Sequence, residues 1–271
     1  MKDLGWIEGQ NLSIEQRYAG DVVARLDELA AELLRLNPAL IVVSGAAAAD
    51  TAKRVLAGVP VVSVSGDPVA AGVAASLARP GGNITGVAIL SVDLAAKWVE
   101  LATLAIPGLS RLAVLADPGG AKGQLQTAEA AAARLGIQTM VRRGGNLAEI
   151  EEFFRSAKQE RAGAAALMSS ALFASLRQAI VGFAAHHRMP TVYEHRGFVD
   201  AGGLMSYGPD FREIFRRVAT YVDRILKGAK PADLPIEQPT KFEVVVNRKT
   251  AAALGLTLPR SFLIRVDDFV Q

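Results

Sequence analysis

The sequence predicts an α/β protein with parallel sheets, wound as two Rossmann-like lobes. Three observations carry this. The runs "ALIVVSG", "VPVVSVSG", "RLAVLADP", "AALMSS" and "MPTVYEH" are continuously apolar, as strands covered on both faces are. Segments with apolar residues at helical spacing separate them, which is the βαβ order of a doubly wound sheet with right-handed crossovers. After "GGNITGVAIL" and one more helical segment, "AIPGLS" leads into a fresh strand as if a second unit began, in a chain of 271 residues that exceeds a typical small domain.

Each element has its own signal. "LSIEQRY" alternates like a half-exposed strand. Val22, Leu26, Leu29, Ala30, Leu33 and Leu36 share one helix face, opened by Asp21 and stopped by Asn37-Pro38. "ALIVVSG" is the next strand and "AAAADTAKRVL" the helix after it; "VPVVSV" and "NITGV" follow. Helical patterns then run from about Leu94 to Leu104, Leu125 to Leu135, Ala148 to Lys158 and Leu172 to His186. The stretch "GGLMSYGPDF" starts as a strand and opens a helix at Asp210, where Asp210 and Glu213 form a capping box. Phe211, Ile214, Phe215, Val218, Val222 and Ile225 make its apolar stripe and Gly228 ends it.

Composition excludes several classes of function. The longest stretch without charge, Ala162 to Leu176, is short of the roughly 18–20 residues a membrane helix needs. Net charge is +3, but the 30 Lys and Arg are spread among 27 Asp and Glu, which gives nucleic-acid binding little support. There is no cysteine, and of three histidines two are adjacent (His186, His187) at a helix end, so no metal site is expected. No cofactor is implied either. "MKDLGWIEGQ" has no apolar run of the kind a secretory signal carries.

Candidate ligand contacts gather where strands end. Ser44 and Gly45 precede a helix, Ser65, Gly66 and Asp67 follow "VPVVSV", Thr85 sits in "NITGV", and Ser169 and Ser170 follow "AALM". Small hydroxyls and glycines before helix N-termini leave backbone N–H groups open to a ligand, and the helix dipole favours an anion there. The same residues are also good caps and turn formers. Their recurrence at strand ends, the usual ligand position in open α/β sheets, favours the binding reading. Tyr193, Phe198 and Tyr207 would flank those loops with aromatic faces, and Glu194 or Asp67 could pair with an amino group. Catalytic signatures are missing: no G-x-G-x-x-G after a strand, no G-x-x-x-x-G-K-[ST], no G-x-S-x-G. Glu194 and His195 could serve as acid and base, but a pair at a strand end is more often a hydrogen-bonded pair or a ligand contact. No catalytic residue is assigned.

Four blocks, "EGQNLSIEQRYA", "SGDPVAAGVAASLARPGGNITGV", "YEHRGFVDAGGLMSYGPD" and "RILKGAKPADLPIEQPTKFEVVVNRKTAAALGLTLP", resemble the ABC-transporter substrate-binding proteins of the tryptophan or aromatic type. The resemblance covers nearly the whole chain. It implies a type I periplasmic-binding fold, a clamshell of two lobes joined by three crossovers that closes on a small-molecule ligand. The lobes would be residues 1–89 with 208–236 and residues 90–207 with 237–271, and Tyr207 would lie between them. It further implies an ABC permease as partner, a periplasmic or lipoprotein address, and an aromatic amino acid or aromatic carboxylate as ligand. Such proteins usually begin with a signal, a strand and a helix ahead of a "LGWIEGQN"-like turn. This chain begins at that turn, so the first strand and helix of the N-terminal lobe are expected to be absent, leaving a gap or abnormal pairing in its sheet. A repressor's effector domain shares the fold but would need an upstream helix-turn-helix, and a small-molecule enzyme would need the acid–base or phosphate-binding set not found here.

Overall fold

The structure, a computed structural model, describes residues 1–19, 22–90, 92–118 and 122–271. In chain order the principal elements are α1 (Leu26–Arg35), β1 (Ile41–Ser44), α2 (Ala46–Val55), β2 (Val61–Ser65), β3 (Ile84–Ala88), α3 (Leu94–Ala105), β4 (Arg111–Ala116), α4 (Lys122–Arg134) and β5 (Gln138–Arg143). They continue with α5 (Leu147–Gln159), β6 (Ala164–Leu167), α6 (Ala171–Ser175), α7 (Arg177–His186), β7 (Thr191–Tyr193), α8 (Arg196–Asp200), β8 (Met205–Pro209) and α9 (Phe211–Leu226). The last are β9 (Phe242–Asn247), α10 (Arg248–Ala253), α11 (Arg260–Leu263) and β10 (Asp268–Val270). The chain divides into two compact units, Met1–Leu90 with Phe211–Thr240, and Ser91–Asp210 with Lys241–Gln271.

The first unit carries a parallel sheet in the order β1-β2-β3. Strand side chains alternate between faces. Val62, Val64 and Val87 therefore meet Ile214, Val218, Tyr221 and Ile225 of α9 on one face, while Ile41, Val61 and Ile84 meet Ala30 of α1 and Ala52 of α2 on the other. Among the described residues the expected gap is not seen: the three strands pair in continuous register, and the open feature is the outer edge of β1, where Val42 is exposed. "LSIEQRY" corrects a second expectation, since residues 13–19 form no strand. Alternation supplies a strand with a face but not with a hydrogen-bonding neighbour, and β1 pairs only with β2 among the described residues. In the first helix, Leu29 and Ala30 are buried whereas Val22 and Leu36 are exposed; Asp21, its expected start, lies outside the described residues.

The second unit has seven strands in the order β10-β9-β8-β7-β6-β4-β5. They are parallel except for the antiparallel β8–β9 pair, a departure from the all-parallel expectation. The reason is topological: the chain leaves this unit after β8 and re-enters beside the same end, so Phe242 at the start of β9 pairs with Pro209 at the end of β8. One face of the sheet packs with α3, α4 and α11 around the fully buried Trp98; the other packs with α5, α7 and α8 around Phe154, Phe173 and Phe198. The segment expected as one helix from Leu172 to His186 is two, α6 and α7, meeting at Leu176.

Candidate functional site

In the second unit β4, β6 and β7 lie side by side and parallel, so their carboxyl ends bring three loops together. Those ends are Asp117 after β4, Ser169-Ser170 after β6 and Glu194-His195 after β7. Ser170 is the N-cap of α6: its hydroxyl accepts from Phe173 N–H at 3.3 Å and donates to Asp117 Oδ2 at 2.7 Å. The backbone N–H of Ser169 donates to the side-chain oxygen of the buried Gln124 at 2.9 Å. The carboxyl of Glu194 is held by the Ser169 side chain and the Ser170 backbone.

Burial pushes Glu194 up to about 7, against the two hydrogen bonds, which favour the carboxylate. Its neighbour His195 moves the other way, down to about 4, because burial and the charge of Arg177 outweigh the attraction of Asp200. Nδ1 of His195 accepts from Gly197 N–H at 3.0 Å, so the neutral ring carries its proton on Nε2, which stands 3.9 Å from Glu194 Oε1. Between about pH 4 and 7 both groups are neutral; above that range a carboxylate faces a neutral imidazole. The site therefore presents a desolvated acceptor, 18% of it exposed, held with hydroxyl and amide donors. A carboxylate in that setting suits an ammonium group, which would supply the missing charge.

The aromatic candidates are placed differently from expectation. Tyr193 is fully buried, stacks on Phe198 with ring centroids 4.7 Å apart and planes 9° from parallel, and belongs with Phe198 to the core beneath α5, α7 and α8. Neither ring face is left for a ligand. Tyr207 is half-buried, packs on Phe242 at 6.0 Å, and joins the opposite core layer; its carbonyl accepts from Trp98 Nε1 at 2.7 Å. Register explains the separation. Tyr193 pairs with Ser206, so Tyr207, the next residue, points to the other face of the sheet. Gly208 completes the junction, because a Cβ there would collide with the Glu194 carbonyl oxygen. The "SYG" run thus serves packing on two faces and the close approach of β8 to the end of β7.

In the first unit, Gly45 at φ +96° turns the chain from β1 into α2 directly after the exposed Ser44. Ser65 is buried at the end of β2, its hydroxyl 3.1 Å from that of Ser63. Gly66 and Asp67 do not lead into a helix: Asp67 Oδ1 accepts from Val69 and Ala70 N–H at 2.9 and 3.0 Å and closes a turn. The helix-dipole argument for an anion is therefore confined here to the start of α2. Thr85 is also corrected. It lies near the amino end of β3, is fully buried, and donates to the Leu234 carbonyl at 2.7 Å, a core contact rather than a strand-end one.

Gln124 and Asp117 join the second-unit group without having been singled out. Asp117 follows a strand, a signal available in "LADP"; nothing local marks Gln124. A surface groove of about 330 Å³ between α3 and α4 lies away from the strand ends and is lined by Asp93, Lys97, Glu100 and Arg134, with Lys97 and Glu100 paired at 2.8 Å. No group of metal-binding side chains and no helix long and apolar enough to cross a membrane occur among the described residues.

Two α/β units with polar groups at the ends of their strands are the architecture of a periplasmic-binding fold. Residues 1–270 match the ABC transporter substrate binding protein family, and the chain belongs to it. A tyrosine-binding protein of Clostridioides difficile is 22% identical over 260 residues, 94% of this chain and 74% of that one. A conserved domain protein from Vibrio cholerae has the same fold, with a TM-score of 0.89 at 24% identity over 99% of this chain and 91% of that one. An ABC domain from Streptococcus pneumonia in complex with L-Trp gives 0.86 at 23% identity over 97% and 89%. The type I periplasmic-binding fold is thus established, and members of the family are extracytoplasmic substrate-binding proteins rather than enzymes.

Proposed function

We propose that this chain captures an aromatic amino acid outside the cytoplasm, as a periplasmic or lipid-anchored protein, and hands it to the membrane permease of an ABC importer. The observation that carries the ligand class is Glu194, a desolvated carboxyl at a strand end with two of its acceptor positions already used by Ser169 and Ser170. It recognises the ligand's ammonium group. Asp67 remains an alternative partner for the ammonium group, and Ser44, Gly45, Ser65 and Gly66 remain candidates for the ligand's carboxylate, with the N-terminus of α2 supplying N–H donors. Relatives named for tyrosine and crystallised with tryptophan support the aromatic side chain.

Calorimetry with L-tyrosine, L-tryptophan and their deaminated analogues tests the reading. The amino acids should bind and the analogues should bind at least about tenfold more weakly, roughly 1.4 kcal/mol. Glu194→Gln should remove that difference. Wild-type affinity should rise as pH passes through about 7, because a cation is attracted to the ionised carboxyl. Equal binding of amino acids and analogues refutes the role of Glu194, and binding of neither class refutes the ligand assignment.

A further inference from the structure

We infer that Gln124 and Asp117 are positioning residues for the Glu194 carboxyl, acting through Ser169 and Ser170, and that they set how strongly the site prefers a ligand with an ammonium group; this rests on the role of Glu194 proposed above. Neither residue needs to touch the ligand. Each of the two groups that hold Glu194 is itself held by a residue of the preceding β4–α4 unit. Gln124, buried in the first turn of α4, accepts from Ser169 N–H at 2.9 Å, and the Ser169 side chain in turn holds Glu194. Asp117, directly after β4, accepts from the Ser170 hydroxyl at 2.7 Å, and the Ser170 backbone holds Glu194.

The anchoring runs through three successive residues. Met168 N–H donates to the Leu115 carbonyl at 2.9 Å, Ser169 N–H to Gln124, and the Ser170 hydroxyl to Asp117. A serine hydroxyl can rotate to suit its partners. That of Ser170 is fixed on both sides, donating to Asp117 and accepting from Phe173 N–H at 3.3 Å. Its backbone is extended, at φ −155° and ψ 132°, so the contacts that start α6 also fix the direction of its N–H. A carboxyl held from a backbone tied down in this way meets an ammonium group without first being ordered, which spares affinity. Loss of either anchor lets the donors drift, weakens charge-assisted bonds and moves the carboxyl further towards its neutral form. The titratable neighbours within the group are His195, 3.9 Å from Glu194, and Asp117 itself; Arg177 and Asp200 act on His195.

The experiment uses the full chain and two measurements: the titration of the Glu194 carboxyl by carbon NMR without ligand, and calorimetry with L-tyrosine and its deaminated analogue hydroxyphenylpropionate. Gln124→Met, which keeps the length without the amide, and Asp117→Ala should each move the titration above the wild-type midpoint of about 7. Each should also lower the preference for tyrosine over the analogue at least about threefold. Asp117→Asn, which keeps an oxygen for the Ser170 hydroxyl, should restore most of both. Ser170→Gly keeps the backbone N–H, is tolerated at an N-cap and cuts the link to Asp117, so it should reproduce Asp117→Ala and replaces that variant should it fail to fold. Unchanged titration and unchanged preference in the folded variants overturn the inference and leave the role of Glu194 standing. A lower melting temperature or a general loss of binding without a shift in titration also overturns it, since that marks a merely structural role. Wild-type binding of tyrosine no tighter than of the analogue overturns the role of Glu194 and with it the preference assigned here.

Discussion

Replacing Glu194 by glutamine should stabilise the protein by an amount that grows as pH rises from about 4.5 and is complete above about 7. The carboxyl ordinarily titrates at 4.5 and in the folded chain at about 7, so the folded state binds the proton more tightly than the unfolded state. The penalty for folding is absent below about 4.5, grows between 4.5 and 7, and is complete above 7. Its full size is on the order of 3 kcal/mol. His195 has the opposite sign. Its folded value of about 4 lies below the usual 6.5, so the unfolded chain holds that proton more tightly and stability is lost as pH falls from 6.5 through 4. From 4.5 to 6.5 the two slopes oppose and nearly cancel, so wild-type stability should be almost flat there. Glutamine keeps an oxygen for Ser169 and Ser170 while removing the charge. The variant should therefore match the wild type near pH 4, exceed it by about 3 kcal/mol at about pH 8, and show a rise from 4 to 6.5 that belongs to His195 alone. Urea unfolding followed by the fluorescence of Trp98, the buried tryptophan of the same unit, in a Trp6→Phe background reads this directly. A variant no more stable than wild type at the higher pH, or a gain that does not change with pH, would show that the carboxyl is not held desolvated.

Three further outcomes follow from the packing. Gly208→Ala should cost more than about 3 kcal/mol by chemical denaturation, since the new methyl group collides with the Glu194 carbonyl; a near-neutral result would contradict the β7–β8 register. Thr85→Val should cost about 1–3 kcal/mol, by leaving the Leu234 carbonyl without its donor, and should leave ligand affinity untouched; a loss of affinity would restore Thr85 to the site. Val42→Lys on the open edge of β1 should lower self-association in sedimentation experiments, because a charge there opposes strand-to-strand pairing, whereas unchanged association would place the sticky surface elsewhere.

The alternation of strand and helix was legible because each buried strand of a parallel sheet is apolar throughout and each covering helix repeats its apolar positions at 3.6 residues; these are properties of short windows. The strand ends at Ser44, Ser65, Ser169 and Glu194 could be read for the same reason. Local pattern misled at "LSIEQRY", whose alternation has no hydrogen-bonding neighbour, and β5 lacks any clear signal, being an edge strand of mixed burial. It also could not show that Ser65-Gly66-Asp67 closes a turn instead of opening a helix, since Asp67 caps either one.

By itself the sequence determined the class of fold and the residue types at the strand ends, because composition and periodicity are carried by the chain locally, while the family was carried by the resemblance of four blocks. Only the tertiary structure decided which of those residues meet. Tyr193 and Tyr207 fall on opposite faces of one sheet through a single-residue difference in register with β8; Thr85 is bound to Leu234, 149 positions away; and Glu194 is gathered with Ser169 through the adjacency of β6 and β7. Long-range pairing sets which groups share a desolvated space, and desolvation, not residue identity, moves Glu194 to neutrality and His195 away from it.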